Sequence, residues 1–214
     1  MSKNPDNNNV FSTLGATNHS NGDRQKEDYY ATDKRAIKHL LKKEPQLNNK
    51  GFKVLEPCAG EGILSDEWER LVGTKMDLYD LIQRREDVTQ ANYFKTDFKD
   101  KYDLIITNPP YAKGSQSNPG LADLIVKALN EVKEGGYVCM FLKTLHLESK
   151  TRYEKIFKNY PPARLHVYSP RISCYKNNDT SLPQGAISYT WFVWHKLKDM
   201  TFESPTILDW IEEI

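Results

Sequence analysis

Apolar residues fall in short runs bounded by turn residues, and these runs alternate with stretches of helical spacing. Gly51 to Glu56, Lys75 to Asp80, Tyr102 to Thr107, Tyr137 to Leu142, Arg164 to Tyr168 and Ala186 to Trp194 read as strands. Asn92 to Phe98 reads as a further short strand and turn. Between them, Lys34 to Lys43 places Ile37, Leu40 and Leu41 on one helix face, with Thr32 or Asp33 as a natural N-cap. Ile63 to Val72, Leu121 to Val132 and Ser149 to Phe157 also read as helices, and Gly135-Gly136 stops the third of the four. Two strands, Tyr102 to Thr107 and Tyr137 to Leu142, are apolar with almost no alternation. That pattern belongs to strands covered on both faces, as in a central parallel sheet. The loops at Tyr111 to Gly120 and Ser169 to Gly185 are polar. The acidic end, 199–214, reads as a short helix or a surface packing segment. Residues 1–23, rich in Asn, Ser and Gly, read as a disordered tail.

Composition changes this picture little. A chain of 214 residues suits one domain of ordinary size, and a net charge of +1 does not announce a nucleic-acid binder. Three widely spaced cysteines make neither a disulfide framework nor a zinc spacing. No apolar run approaches a membrane span, so a cytoplasmic protein is expected. Local charge says more. From Lys143 to Lys176 the chain carries eight basic residues, Lys143, Lys150, Arg152 and Arg171 among them, against two acids, Glu148 and Glu154. Tyrosines are interleaved, and basic residues alternating with aromatics suit nucleic acid. A solvated surface balanced by the acidic tail is the alternative.

The candidate chemistry lies at strand ends. Glu56 ends the first strand and is followed by Pro57-Cys58-Ala59-Gly60-Glu61-Gly62 and then a helix, the layout of a nucleotide-binding βα unit. Glycine lets the backbone turn sharply and approach a ligand. A carboxylate beside that loop repels phosphate and attracts a cation, which points away from a dinucleotide and toward the sulfonium of S-adenosylmethionine. Asp80 ends the next strand, 18 positions after Gly62, where an acid can accept bonds from ribose hydroxyls; a solvated loop acid is the plainer reading. Asp97 could accept a bond from an adenine amine and Phe98 could stack on the ring, or Phe98 is core and Asp97 caps a turn. The strand Tyr102 to Thr107 runs into Asn108-Pro109-Pro110-Tyr111, where a carboxamide, two rigid residues and an aromatic ring project from a strand end.

These two segments together resemble the class I S-adenosylmethionine-dependent methyltransferases that act on planar nitrogen. They are most similar to the DNA adenine-N6 methyltransferases, in the short form carried by phages and bacteria. The resemblance spans roughly Tyr29 to Lys196, with motifs in the order aromatic-Ala-Thr, glycine loop, catalytic tetrapeptide. Asp33 stands where that family usually has Pro, and the chain leaves little room for a separate target-recognition domain.

The resemblance implies an α/β, Rossmann-like fold. It has a seven-stranded, mostly parallel sheet with one antiparallel strand and helices on both faces, within a domain of residues 24–198. It implies S-adenosylmethionine held by Tyr30, Thr32, Glu56, Pro57, Cys58, Ala59, Gly60, Gly62, Asp80, Asp97, Phe98 and Asn108. Catalysis would rest on Asn108, Pro109, Pro110 and Tyr111. The N6 amine of adenine is a poor nucleophile because its lone pair is delocalised into the ring. The Asn108 side-chain oxygen and the Pro109 carbonyl would accept its two N–H bonds and free that pair, and Tyr111 would stack on the flipped base. DNA, or else RNA, would lie along Lys113, Lys143, Lys150, Arg152, Arg171 and Lys176, with a partner subunit possible for target recognition and no metal required. The same tetrapeptide also serves methyltransferases of RNA bases and of protein glutamine, and a non-catalytic subunit is a further alternative.

Overall fold

The computed structural model describes residues 30–111, 119–172, 174–176 and 187–212. The expected tail and Lys113 lie outside them, as do the side chains of Tyr30 and Lys176. The described strands are β1 (Tyr30–Thr32), β2 (Val54–Glu56), β3 (Asp77–Asp80), β4 (Thr89–Gln90), β5 (Leu104–Thr107), β6 (Tyr137–Lys143), β7 (Arg164–Tyr168), β8 (Cys174–Lys176), β9 (Tyr189–His195) and β10 (Ile207–Ile211). The α-helices are α1 (Arg35–Lys43), α2 (Ile63–Val72), α3 (Leu121–Glu131) and α4 (Lys150–Arg152), the last running on as a π-helical turn, Tyr153–Phe157.

Eight strands form one sheet in the order β10-β7-β9-β6-β5-β2-β3-β4. Strand β9 is antiparallel to both its neighbours, and every other pair in the sheet is parallel. The chain builds outward from β2 through β3 to β4, then returns to lay β5 and β6 on the other side of β2. The sheet therefore reverses its strand order between β2 and β5, and a crevice opens at the carboxyl ends of strands at such a reversal.

Side chains alternate across each strand, so a strand buried on both faces feeds two cores. Val54, Leu104, Ile106, Cys139, Phe141 and Trp191 pack with Ile37 and Leu40 of α1 and with Leu64 and Trp68 of α2. Their chain neighbours Leu55, Ile105, Val138, Met140 and Phe192 pack with Leu124, Ile125 and Leu129 of α3 on the opposite face. Three indoles are fully buried, and each N–H finds an acceptor: Trp68 on Thr74 Oγ1, Trp191 on the Ala36 carbonyl and Trp194 on the Tyr160 carbonyl. A buried donor left unpaired would cost about 1–3 kcal/mol, so these bonds make the large rings compatible with the core.

The fold class is the expected one, with two corrections. The sheet has eight strands rather than seven because the segment 199–214, expected as helix or surface packing, supplies β10. Ile207-Leu208-Asp209-Trp210-Ile211 is too short an apolar stripe for a helix; it adds to β7 in parallel, with Ile211 in the core and Asp209 paired to Lys43 at 2.8 Å. The strand expected at Asn92 to Phe98 is a 3₁₀ turn, Tyr93–Lys95, and the strand lies just upstream as β4. Asn92 caps that turn, its side chain accepting the Phe94 N–H at 2.9 Å. Asparagine commonly favours such local caps over a ladder. At the helix before β2, Asp33 accepts the Arg35 backbone N–H at 3.0 Å, which frees Thr32 for another use.

Candidate active site

Strands β3, β2, β5 and β6 are consecutive in the sheet and parallel, so their carboxyl ends form one rim with neighbouring strands about 4.8 Å apart. That rim carries Asp80, Glu56, Asn108 and Lys143 in spatial order. Two of them, Glu56 and Asn108, flank the point where strand order reverses. Residues far apart in the sequence are thus gathered by topology alone.

The glycine turn is held from two sides. Ala59 N–H donates to the Tyr79 carbonyl, and Gly60 N–H donates to Asp80 Oδ2 at 2.8 Å. The other Asp80 oxygen accepts the Ile82 N–H at 3.0 Å, and Arg84 lies 3.4 Å away. Asp80 is therefore a built part of the loop rather than a loose surface acid. Gly60 and Gly62 both have positive φ, 56° and 76°, which disfavours any side chain. Gly62 has a second constraint: a Cβ there would overlap the guanidinium of Arg85. Arg85 reaches the Glu61 carbonyl at 3.2 Å and Asp66 at 2.7 Å. The absent side chain at Gly62 makes room for Arg85, where close approach of a ligand was expected. Arg85 itself escaped sequence reading, because nothing local marks it as a partner of the loop.

Glu56 is 2 % exposed, and its Oε2 has no hydrogen-bond partner among the described residues. Burial, and then the nearby Asp80 charge, push its carboxyl well above the usual range. A buried, under-bonded acid beside a second carboxylate fits a cationic ligand, which would supply the missing countercharge. Pro57 and Ala59 are buried behind the turn, and Cys58 is half-buried. Burial and the charges of Asp80 and Glu56 raise the Cys58 thiol, which keeps it protonated.

Asn108 is held by its nitrogen. Nδ2 donates to Thr32 Oγ1 at 2.8 Å and to Cys174 Sγ at 3.7 Å. Thr32 and Cys174 are partners in register across the small antiparallel ribbon of β1 and β8. Thr32, expected at the cofactor, thus touches the Asn108 amide, and no local sequence pattern points to Cys174. Pro109 is buried behind Asn108 and Pro110 is exposed.

Tyr111 packs its ring on His146, with centroids 5.2 Å apart and planes 10° from parallel, and Lys143 Nζ lies 4.6 Å from the ring centroid. Burial, then Arg152 and Lys143, push the His146 imidazole down to about 4, so it is neutral near pH 7.

For Phe98 the structure supports the core alternative. It is 3 % exposed and packed among Tyr79, Tyr93 and Tyr102, with centroids 4.8, 5.7 and 5.9 Å away. Its ring is packed in the core. Asp97 is exposed and accepts the Lys99 N–H at 3.0 Å. With β4 ending at Gln90, the strand-end position expected for Asp97 falls instead to Asn92, two residues past β4.

The basic stretch also reads differently in three dimensions. Arg164 pairs with Glu44 at 2.5 Å and Glu203 at 2.7 Å, and Lys155 with Asp123 at 2.5 Å. Acids from elsewhere in the chain neutralise much of the local excess. Arg152, expected on nucleic acid, donates to the carbonyls of Leu145, His146 and Glu148 and fixes that loop. Lys150 and Arg171 are exposed, and Lys143 sits at the Tyr111 ring.

A family model described as methyltransferase small domain matches residues 46–164, more than half of the chain. No curated protein matches. Among solved structures, the chain resembles a protein of Listeria monocytogenes assigned as a class I S-adenosylmethionine-dependent methyltransferase (TM-score 0.59, 13% identity, 85% of this chain and 65% of that one). It also resembles a modification subunit of an assigned type I restriction enzyme from Vibrio vulnificus (TM-score 0.59, 13% identity, 89% and 49%). A third is a protein of Pyrococcus horikoshii assigned as an RNA methyltransferase (TM-score 0.58, 16% identity, 87% and 96%). At these identities the likeness is one of fold, and the chain spans less than two thirds of the first two proteins. The family match covers the glycine turn, the strand-end acids and the Asn-Pro-Pro-Tyr turn together: the chain belongs to the methyltransferase small domain family, with S-adenosylmethionine as its cofactor.

Proposed function

We propose that the protein methylates the N6 amine of adenine in DNA. The observation that carries this reading is the Asn108 carboxamide, fixed by its nitrogen at the end of β5 and next to the buried acid of β2. With Nδ2 held by Thr32 and Cys174, the oxygen Oδ1 is directed away from that pair. It can accept one N–H of a planar amine, while the Pro109 carbonyl accepts the other. The two acceptors draw the nitrogen toward a tetrahedral shape and localise its lone pair. An electrophilic methyl group is what S-adenosylmethionine brings when bound. Glu56 would face its cationic end, Asp80 its ribose, and Asn92 or Asp97 its adenine.

Tyr111 offers a stacking surface for a base taken out of the duplex. A base that stacks there replaces one of the two present contacts, and Lys143, on a long flexible chain, is the one that moves. Lys143, Lys150 and Arg171 support a phosphate-bearing target. The neutralised basic stretch, with Leu145, Leu147 and Tyr153 exposed, favours a second reading in which the acceptor is a protein amide.

The test is methyl transfer from labelled S-adenosylmethionine to unmethylated DNA, RNA and protein, followed by nucleoside mass spectrometry. N6-methyladenine in DNA is the expected product. Label in RNA alone or protein alone would overturn the choice of target.

A further inference from the structure

The ribbon of β1 and β8 lies outside the main sheet and joins a segment before the first helix to a segment late in the chain. Its innermost register pair, Thr32 and Cys174, meets at one atom, the Nδ2 of Asn108. Thr32 is 6 % exposed, so its hydroxyl is shielded from competing water. The Cys174 sulfur also bonds the Tyr189 side chain, and burial pushes the thiol up to about 11, so it remains a neutral thiol through the physiological range. Tyr189 is in turn held by stacking on Phe141, with centroids 4.9 Å apart and planes 6° from parallel.

A carboxamide can rotate by 180° and exchange its oxygen for its nitrogen. Flipped, Asn108 would present N–H groups to an amine that itself needs acceptors. With Nδ2 on that side the amide makes two bonds, to Thr32 Oγ1 and Cys174 Sγ, whereas the flipped oxygen would gain at most one good donor, the Thr32 hydroxyl, because a thiol donates weakly. We propose that Thr32 and Cys174 are positioning residues that lock the Asn108 amide with its oxygen toward the target, Thr32 as the stronger acceptor and Cys174 as the weaker. The claim rests on the reading of Asn108 as the acceptor for the target amine. It assigns the ribbon a task in catalysis rather than in stability, since the main sheet is complete without it.

Selective ¹⁵N-asparagine labelling of the full chain tests this without any substrate. The Asn108 side-chain signal is identified by its loss in Asn108→Asp. In the wild type its amide protons should exchange with solvent at least about tenfold more slowly than those of exposed asparagines, as expected for a shielded hydrogen bond. Thr32→Val should abolish most of this protection, Cys174→Ala part of it, and Thr32→Ser should restore it. Unchanged exchange in both Thr32→Val and Cys174→Ala would overturn the proposal.

In turnover, Thr32→Val should lower kcat about tenfold and Cys174→Ala about threefold, with the cofactor KM within about twofold of wild type. A loss confined to the cofactor KM would make Thr32 a cofactor contact and overturn the positioning role. A wild type inert toward every acceptor would count against the functional reading, and the exchange measurement would still decide the positioning.

Discussion

The Tyr111 ring lies flat on the His146 imidazole, 5.2 Å between centroids and 10° between planes. The contact joins the Asn-Pro-Pro-Tyr turn after β5 to the loop after β6, which Arg152 holds by three carbonyls. His146→Ala should therefore loosen Tyr111 without unfolding the chain. An aromatic pair of this kind contributes about 0.5–1.5 kcal/mol beyond burial, so the target KM should rise roughly twofold to tenfold while cofactor affinity holds. Steady-state kinetics with each substrate varied in turn would check this.

The same contact carries a pH dependence. Burial holds His146 at about 4 in the folded chain, below the ordinary imidazole value near 6.5. The folded state then binds fewer protons than the unfolded one between those values. Its stabilising contribution is complete above about 6.5 and is lost as pH falls toward 4. Melting temperature should drop over that interval, and His146→Phe, which keeps a ring but no titrating group, should drop less.

Glu56 has the opposite sign. Its carboxyl is raised well above 4.5 by burial and by Asp80, so the folded chain retains a proton that the unfolded chain has lost. Without cofactor, stability should fall as pH rises across that window, with a limiting slope of about 1.4 kcal/mol per pH unit. Glu56→Gln should flatten the slope and weaken cofactor binding at least about tenfold, as expected when a charged partner is lost. Cofactor binding to the wild type should release a proton. Calorimetry in buffers of different ionisation enthalpy reads this directly, and heats independent of buffer would argue against it.

Gly62 is constrained both by φ of 76° and by the Arg85 guanidinium. Gly62→Ala should cost more than the roughly 1–2 kcal/mol of a left-handed alanine. In an Arg85→Ala background the added cost should shrink to about that value. A double-mutant cycle by chemical denaturation checks the coupling.

The features legible in the sequence are those that depend on a strand and the residue just beyond it. Glu56, Asp80 and Asn108 follow apolar runs directly, so their shared rim could be expected from the strand pattern and a parallel sheet. What escaped depends on distant partners. Cys174 meets Asn108 across 66 positions, and Arg85 meets Asp66 across 19; no local pattern marks either. Phe98 could have been a stacking ring or a core ring, and only its three tyrosine neighbours decide that. The basic stretch misled for the same reason, because Glu44 reaches Arg164 from 120 positions away. The strand β10 hid in a segment whose acidic character outweighed its five-residue apolar pattern.

In the proposed mechanism Asn108 acts on the target amine and not on cofactor affinity. Asn108→Ala tests it most directly, by measuring single-turnover methyl transfer and S-adenosylmethionine binding on the same preparation. Cofactor affinity should stay within a few-fold of wild type and transfer should fall at least about a hundredfold, as for loss of an acceptor that acts mainly in the transition state. Transfer at the wild-type rate, or a loss explained wholly by weakened cofactor binding, would contradict it.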